Sequence, residues 1–161
     1  MNKNLESCGP YRPCVGIMLY NSEGKVFTGK RIDYNSSAWQ MPQGGIEPGE
    51  VAKKAAIREL FEETNISEDY IEFVHQIDEW LFYDIPRDMV SKFWNGKFKG
   101  QKQKWFLFKF VGSDVDVNIV TKNPEFSAWK WTSLESLVEE IVPFKKEIYK
   151  IVLEKFKQYL I

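Results

Sequence analysis

The 23 residues from Gly44 to Ile66 constrain the fold of this 161-residue chain more than any other stretch. They include Glu59, Glu62 and Glu63, which are spaced i, i+3 and i+4. Residues three and four apart lie on the same side of an α-helix, so a helix here projects all three carboxylates from one face. The opposite face carries an apolar stripe of Ile57, Leu60, Phe61 and Thr64. The pattern therefore predicts an amphipathic helix with a core-facing side and an acidic side.

The three glutamates have two interpretations. They form either the solvated face of an ordinary helix or a set of ligands for a divalent cation. Their mutual repulsion costs a few tenths of a kcal/mol per pair, and a cation that prefers oxygen ligands converts this cost into a gain. Arg58 stands eight residues after Glu50, a little over two helical turns, and is predicted to pair with that carboxylate while restraining Glu59. The alternative for Arg58 is a surface salt bridge of little value.

The spacing of these residues resembles the Nudix box of the Nudix hydrolases. The pattern G-x5-E-x7-R-E-U-x-E-E-x-G-U, with U apolar, matches from Gly44 to Ile66 except that Asn65 replaces the late glycine. Six specified residue types at these spacings match by chance in roughly one such chain in 10⁵. Asparagine is the next best residue after glycine in a left-handed helix cap, so this departure is mild. The resemblance implies a Nudix fold, an α+β fold in which a mixed β-sheet is sandwiched between α-helices.

The rest of the chain fits one domain, residues 1–161, because 161 residues with 43% hydrophobic content suffice for one substantial core. No apolar stretch approaches 18 residues, and residues 1–12 carry no signal-peptide pattern. We therefore expect a cytoplasmic protein with no membrane segment. Nothing in the sequence points to an obligate protein partner.

The chain is poor in soft metal ligands. Its single histidine, His75, lies in an apolar-rich run that favours packing or a strand surface, and Cys8 and Cys14 fit small structural residues. Metal ligation and base chemistry must then fall mainly to carboxylates. Oxygen ligands suit Mg²⁺, with Mn²⁺ or another divalent cation as alternatives, far better than they suit Zn²⁺.

Apolar alternation and turn residues predict a strand-rich chain with one central helix. The predicted strands are Arg12–Tyr20, Lys25–Arg31, Ile71–Ile85, Lys104–Val111, Val115–Ile119 and Ala128–Thr132. Besides the central helix, which is predicted to begin near Glu50, the predicted helices are Pro86–Trp94, Ser133–Ile141 and Phe144–Leu160. This order favours a mixed sheet covered by helices.

Charge is unevenly distributed along the chain. Residues 47–79 hold ten acids and three bases, whereas residues 87–109 hold seven bases and one acid among many aromatic side chains. A basic, aromatic-rich surface beside an acidic one suits a polyanionic substrate with stackable bases. The alternative is that the aromatic residues are strand core and that the lysines, Lys97, Lys99, Lys102 and Lys104, are ordinary surface.

Further stretches resemble the bacterial RNA pyrophosphohydrolases, which are also described as dinucleoside polyphosphate hydrolases. They are Tyr11-Arg12-Pro13, Trp39-Gln40-Met41-Pro42-Gln43-Gly44-Gly45, Gly100-Gln101-Lys102-Gln103-Lys104-Trp105-Phe106, Pro124-Glu125-Phe126 and Phe144-Lys145. The resemblance implies hydrolysis of the 5′-triphosphate end of RNA to a 5′-monophosphate, with release of pyrophosphate or of successive phosphates, as a first step in mRNA decay.

The same resemblance assigns roles to individual residues. The implied metal ligands are Gly44, Glu59, Glu62, Glu63 and Glu125, and the implied catalytic residues are Arg58 with the same four glutamates. Glu125 serves either as a further ligand or as the base that takes a proton from water, although on sequence alone it is an ordinary loop acid. The implied substrate contacts are Arg12, Arg31, Gln43, Lys104, Phe144 and Lys145. For Phe144, packing at the start of the last helix is a competing interpretation.

Three functions remain open at this point. The first is an RNA 5′-pyrophosphohydrolase, and the second is a hydrolase of dinucleoside polyphosphates such as diadenosine tetraphosphate. The basic, aromatic-rich segment favours RNA. The third is an inactive Nudix-fold module that binds RNA or nucleotides, which the presence of all four glutamates disfavours.

Overall fold

The computed structural model describes residues 11–32, 37–92 and 97–160, with Ser91 and Lys92 described by their backbone alone. The strands are β1 (Tyr11–Tyr20), β2 (Val26–Arg31), β3 (Trp39–Gln40), β4 (Gln43–Gly45), β5 (Ile71–Asp84), β6 (Gly100–Phe110) and β7 (Phe126–Thr132). The α-helices are α1 (Ala52–Thr64), α2 (Leu134–Leu137) and α3 (Lys146–Phe156). Within the described ranges, none of the helices has both the length and the apolar character needed to span a bilayer.

The strands form one mixed sheet in the order β3-β2-β1-β6-β5, with β4 paired to β1 and β7 paired to β2. The central pair, β1 and β6, is parallel from Tyr11 opposite Gly100 to Tyr20 opposite Lys109. The other pairs are antiparallel. Because β4 lies against β1, the chain leaves the middle of the sheet directly before it enters α1. This connection places α1 over the centre of the sheet.

Apolar side chains fill both faces of the sheet. On one face, the strand residues Val15, Ile17 and Phe106 join Ala56 and Leu60 of α1 in one buried cluster. On the other face, a second cluster contains Met18, Trp105 and Leu107 from the strands with Tyr149, Val152 and Phe156 from α3. The prediction of a mixed sheet between helices is confirmed, and residues of the same strand alternate between the two cores.

Helix α1 buries only part of the apolar stripe that was predicted, since Leu60 and Thr64 are buried and Phe61 is not. Its buried residues are Ala55, Ala56, Leu60, Glu63 and Thr64. Phe61, expected in the core, is 48% exposed, while Glu63 is only 5% exposed. The two small alanines are fully buried, so they can define a narrower inward stripe than a count of large apolar residues suggests. The helix is rotated so that one of the three glutamates points inward.

Asn65 ends α1 as the sequence predicts. Its backbone is left-handed, with φ 60° and ψ 13°, and its N–H donates to the Phe61 carbonyl oxygen over 2.8 Å. Its side-chain Nδ2 also donates to the Asn118 carbonyl oxygen over 2.7 Å. The cap thus holds the end of the carboxylate-bearing helix against the loop that precedes β7.

Replacing Asn65 with alanine is expected to lower the free energy of unfolding by about 1–2 kcal/mol, because it adds left-handed strain and removes the bond to Asn118. Replacing Asn65 with glycine removes only the side-chain bond and relieves the strain, so it should cost less. Urea unfolding of both variants measures the difference. Equal losses would show that the left-handed backbone of Asn65 carries no cost.

Several predicted elements differ from the structure. Val115–Ile119 is not a strand, since a 3₁₀ turn occupies Asp114–Asp116 and the Asn118 N–H donates to the Thr64 carbonyl oxygen at the end of α1. The Ser133–Ile141 helix shrinks to α2. The predicted helix at Pro86–Trp94 is a 3₁₀ turn over Arg87–Lys92, and Phe93 and Trp94 lie outside the described residues.

The last predicted helix and two short strands also differ from the prediction. In the Phe144–Leu160 prediction, the α-helical part is α3, flanked by 3₁₀ turns at Pro143–Lys145 and Lys157–Tyr159. The short strands β3 and β4 were not predicted, because two or three residues carry too little alternation to be recognised.

Candidate active site

The Glu59 carboxyl group of α1 lies against Gly44, the first residue of the glycine loop, which is the stretch of residues 44–51 that leads from β4 into α1. A Cβ atom added at Gly44 would collide with the carboxyl group of Glu59, so a glycine is needed for that carboxyl group to lie against the backbone of β4. The strand pairing of Gly44 with Val15 holds the loop against the centre of the sheet. The backbone at Gly44, the first residue of the Nudix box, thus supports the Glu59 carboxylate.

Arg58 links the loop to the carboxylates. Its Nε and Nη2 donate to the two oxygens of Glu50 over 2.8 and 2.9 Å, and Nη2 also donates to the Gly45 carbonyl oxygen over 2.9 Å. Its Nη1 donates to Glu59 over 3.1 Å and to Glu62 over 3.3 Å. The predicted pairing of Arg58 with Glu50 is confirmed. This bidentate pair lowers the pKa of Glu50 to about 2, chiefly through the Arg58 hydrogen bonds.

Glu59 and Glu63 are largely removed from water, and their pKa values are raised, whereas that of Glu50 is lowered. Burial raises the pKa of Glu59 to about 7, against the lowering effect of Arg58. Burial also raises the pKa of Glu63 well above its ordinary value, and the charges of Glu59 and Glu125 raise it further. The Glu63 Oε1 atom is buried and accepts no hydrogen bond within the described parts of the chain. An ionised Glu63 therefore needs a positive group beside it.

Glu125 reaches the same place from the far end of the sequence. It precedes β7, and its carbonyl oxygen accepts the Ile32 N–H over 2.9 Å, which fixes the loop beside the end of β2. Its exposed side chain lines a cavity of about 660 Å³ together with Glu59, Glu62 and Glu63. The fold thus brings all four glutamates implied by the resemblance to one cavity.

These residues fit an oxygen-liganded divalent cation. They provide an unpaired buried carboxylate oxygen, two carboxylates with raised pKa values and a common cavity. Within residues 11–32, 37–92 and 97–160, no three acidic, histidine or cysteine side chains already converge as a closed ligand set. Arg58 instead engages Glu59 and Glu62. Cation binding therefore requires these carboxylates to share their bonds to Arg58 with the metal.

Two arginines lie near the carboxylates. Burial raises the pKa of Glu59, and the charge of Arg12 on β1 partly opposes this rise; the Arg12 guanidinium lies beside the backbone of Gly45. In the same way, the charge of Arg31 at the end of β2 partly opposes the rise that burial causes in the pKa of Glu63. Both side chains are half-buried. Their charges are within electrostatic reach of the cavity, where the predicted phosphate contacts need them.

The remaining predicted substrate residues lie on both faces of the sheet. Lys104 is half-buried on β6, with its Nζ 5.1 Å from the centre of the Trp80 ring. Phe144 is half-buried and packs against Tyr83, with 5.9 Å between ring centres. Lys145 is only 2% exposed, and its Nζ donates to Gln43 over 3.2 Å.

The expectation for the basic segment needs one correction. Lys102, treated as a surface or phosphate-binding lysine, is only 2% exposed, and its Nζ lies 4.6 Å from the centre of the Trp80 ring. Lys102 lies on β6, an interior strand of the sheet, and packs beside Trp80, so its stem is covered. Lys97 and Lys99 are exposed, as expected. The aromatic residues of β6, Trp105, Phe106 and Phe108, are buried in the two cores.

Gln43 was predicted as a substrate contact, but its link to two glutamines of β6 was not predicted. Gln101 and Gln103 on β6 form side-chain hydrogen bonds with each other, and Gln103 also bonds Gln43 on β4. The available signal was that Gln101 and Gln103 are two residues apart in a strand and so face the same side of the sheet, where buried polar side chains need partners.

The raised pKa of Glu59 leads to a stability prediction. An acid whose folded-state pKa lies above its unfolded value binds more protons when folded, so its contribution to stability falls as the pH rises from about 4 through 7. We expect Glu59→Gln to gain stability relative to the wild type across this range when divalent cations are chelated. Thermal unfolding at pH 5, 6, 7 and 8 measures the gain, with Glu147→Gln on α3 as control. A pH-independent difference would contradict the burial of an ionisable Glu59.

The fold and the candidate site have the features expected of a Nudix hydrolase, which are a mixed sheet between helices and an acidic helix facing a cavity. Comparison with known families gives the same class. The NUDIX domain model matches residues 10–152. The chain therefore belongs to the Nudix family, whose hydrolases generally need divalent cations.

Curated relatives narrow the class. An RNA pyrophosphohydrolase of Roseobacter denitrificans is 54% identical over 151 residues, which cover 94% of each chain. An RNA pyrophosphohydrolase of Rickettsia typhi is 49% identical over 159 residues, covering 99% of this chain and 96% of its own. Among solved structures, a C. elegans Ap4A hydrolase in a binary complex superposes with a TM-score of 0.68 at 26% identity, covering 91% of this chain and 97% of its own. The resemblance drawn from the sequence motifs is confirmed.

Proposed function

We propose that this Nudix hydrolase converts the 5′-triphosphate end of RNA to a 5′-monophosphate, with Mg²⁺ as its usual cation. The observation that carries the proposal is the meeting of four glutamates in one cavity, with Glu63 buried and its Oε1 unpaired. The substrate follows from the near full-length similarity to proteins named RNA pyrophosphohydrolase. Such a substrate places the enzyme in the bacterial cytoplasm, at the start of mRNA decay.

The chain's own residues divide the work. Glu59, Glu62, Glu63 and Glu125 would hold the cation, with the Gly44 backbone beside Glu59. When bound, the cation neutralises phosphate charge and lowers the pKa of coordinated water. Arg58 ties the acidic helix to the glycine loop through Glu50 and Gly45, so that the carboxylates keep their spacing. Arg12 and Arg31 are positioned to neutralise phosphate oxygens at the cavity.

Glu125 is the best candidate for the base. It enters the cavity from a loop, its side chain is exposed, and none of the described hydrogen-bond donors ties it down. Glu59 and Glu62 are held by Arg58, and Glu63 is buried. A proton taken from an attacking water at Glu125 therefore has a direct route to solvent.

The alternative substrate is a dinucleoside polyphosphate, since the C. elegans Ap4A hydrolase shares this fold at 26% identity. A competition assay separates the two functions. The purified chain, with Mg²⁺, receives 5′-triphosphorylated RNA and diadenosine tetraphosphate together. The proposal predicts a higher kcat/KM for RNA. Rapid cleavage of the dinucleotide while RNA is left intact would overturn it.

A substitution at Lys104 also distinguishes the two substrates. The half-buried Lys104 lies beside Trp80, within the basic segment of residues 87–109. We expect Lys104→Gln to lower kcat/KM for triphosphorylated RNA by about threefold to tenfold, and for diadenosine tetraphosphate by less than twofold. Kinetics at two salt concentrations measure both effects, with Lys155→Gln, at an exposed position on α3, as the control. Equal losses on the two substrates would exclude Lys104 from an RNA path.

A further inference from the structure

A chain of side-chain hydrogen bonds runs from the core to the glycine loop. Trp105 Nε1 donates to Gln103 Oε1 over 2.9 Å, deep in the core shared with α3. Gln103 Nε2 in turn faces Gln101 Oε1 at 2.7 Å and Gln43 Oε1 at 3.3 Å. Trp105, Gln101 and Gln103 are each at most 3% exposed. The chain thus connects an immobile aromatic ring with Gln43, the residue before Gly44.

The chemistry of Trp105 sets the direction of this chain. An indole N–H only donates, so the Gln103 atom that faces it must be the carbonyl oxygen. The Gln103 amide nitrogen must then face the other way, where it can only donate. Gln101 and Gln43 therefore present their oxygens to Gln103. One donor-only group in the core fixes the orientation of three amides that are otherwise free to flip.

Lys145 fixes the same orientation from the opposite side. Its ammonium, which also only donates, lies 3.2 Å from Gln43 Oε1 and 3.4 Å from Gln40 Oε1. The oxygen of Gln43 thus accepts from two donors, one on β6 and one before α3. Within the described residues, the Gln43 amide nitrogen makes no hydrogen bond, and Gln43 is half-buried rather than covered.

The surroundings of Gln43 suit an anionic ligand. Gln43 and Gly45 lie two residues apart on β4 and so face the same side, and the Arg12 guanidinium lies beside Gly45. Arg12 is also close enough to Glu59 to lower its pKa. The amide nitrogen, the guanidinium and the Lys145 ammonium all offer hydrogen to acceptors. A phosphate oxygen beside Gln43, on the side of β4 where Arg12 lies, would meet these donors.

We propose that Gln103 and Trp105 are positioning residues that lock Gln43 as a hydrogen-bond donor to the phosphate oxygens of the substrate. This inference rests on the proposed function, since it takes the phosphate chain as the ligand. The lock matters because a glutamine that flips presents an oxygen, which repels a phosphate. The Gln43 oxygen is held by Gln103 and Lys145 before the substrate arrives. The Gln43 side chain therefore loses little rotational freedom when it binds phosphate.

A double-mutant cycle tests the lock. Trp105→Phe removes the donor that orients Gln103, and Gln103→Leu removes the link to Gln43. Each change should lower kcat/KM on triphosphorylated RNA by about tenfold, mainly through KM, because substrate binding is what the lock serves. The double variant should also lose about tenfold, since both changes break one chain. A hundredfold loss in the double variant would mean that the two residues act independently, as packing residues would, and would contradict the lock. Unchanged KM values would also overturn the proposal.

Gln43→Glu tests the donor directly and spares the core. A carboxylate still accepts from Gln103 and Lys145, but it puts an oxygen where the amide nitrogen was. We expect KM to rise at least tenfold with little change in unfolding temperature. Gln40→Glu adds the same charge next to Lys145 and serves as the matched control, with a smaller rise expected. Equal effects of the two variants would mean that charge alone acts, and would contradict the donor role.

The outcomes also separate this proposal from the proposed function. If the wild type leaves triphosphorylated RNA intact, the RNA function fails. The same variants are then measured on diadenosine tetraphosphate, whose phosphate chain offers the same oxygens. Coupled losses on that substrate would support the lock without RNA, and independent losses would overturn the lock on either substrate.

Discussion

Replacing Glu63 with glutamine is expected to lower kcat/KM by about 10³-fold, on the order of 4 kcal/mol of transition-state stabilisation. Glu63 is the most buried of the four glutamates, and its Oε1 has no hydrogen-bond donor among the described residues. The amide is nearly the same size but carries no charge to hold a cation. Steady-state kinetics with Mg²⁺ and triphosphorylated RNA measure the loss.

The same substitution should not damage the fold. Burial raises the pKa of Glu63, so its charged form opposes folding at neutral and higher pH. At pH 8 with divalent cations chelated, Glu63→Gln is therefore expected to unfold at the same or a higher temperature than the wild type. Added Mg²⁺ should raise the unfolding temperature of the wild type and leave that of the variant nearly unchanged.

A matched control is available on α3. Glu147 is exposed and pairs only with Lys150, three residues on, in a surface contact of little value. Glu147→Gln should stay within twofold of the wild type in both assays. If Glu63→Gln kept its rate within about threefold, a change of ~0.65 kcal/mol, the buried carboxylate would not be part of the metal site.

Replacing Arg58 with lysine should lower kcat/KM by about 10²-fold and the free energy of unfolding by about 2 kcal/mol. The guanidinium spans Glu50, the Gly45 carbonyl oxygen and Glu59 at the same time. A lysine ammonium is a single point charge and cannot hold a carboxylate by two parallel bonds. The positive charge survives in this variant, so the losses measure geometry rather than charge.

Kinetics and urea unfolding of Arg58→Lys test this expectation, and Lys54→Ala provides the control. Lys54 is exposed on the same helix, so its removal deletes a charge without touching the loop. We expect Lys54→Ala to remain within twofold of the wild type. If Arg58→Lys lost no more activity than Lys54→Ala, the link between α1 and the glycine loop would not matter for catalysis.

The parts of the site that could be predicted from the sequence are those governed by short spacings. The i, i+3, i+4 spacing places Glu59, Glu62 and Glu63 on neighbouring positions of one helix, whatever the rest of the chain does. The pairing of Arg58 with Glu50 follows from eight residues of separation. The convergence of Glu125 on the cavity was predicted from the family resemblance alone, since no local pattern joins it to α1.

The sequence predictions were wrong where contacts between residues distant in the sequence determine the structure. Phe61 satisfies the helical period but is exposed, because α1 packs through its alanines and turns Glu63 inward. Val115–Ile119 has the composition of a strand, but its backbone bonds with the end of α1 instead of with a neighbouring strand. Lys102 is covered because β6 lies in the middle of the sheet. Each outcome depends on contacts across the fold that local patterns do not contain.

The glutamine chain shows the same limit more sharply. Its members come from β3, β4, β6 and the turn before α3, and the hydrogen bonds that link different elements join residues 60 to 105 positions apart. The sequence shows only that Gln101 and Gln103 share one face of a strand, since they are two residues apart. The partners of a buried polar side chain become visible only in the folded arrangement.

Analysis of the products from a 5′-triphosphorylated RNA tests the central claim most directly. The purified chain is incubated with the RNA in Mg²⁺, in a chelator, and in the chelator followed by excess Mg²⁺. With Mg²⁺, and with chelator followed by excess Mg²⁺, we expect RNA with a 5′-monophosphate end and released pyrophosphate or phosphate. With chelator alone, we expect the triphosphate end to stay intact. A triphosphate end that survives in Mg²⁺, at an enzyme concentration that fully cleaves diadenosine tetraphosphate, would contradict the central claim.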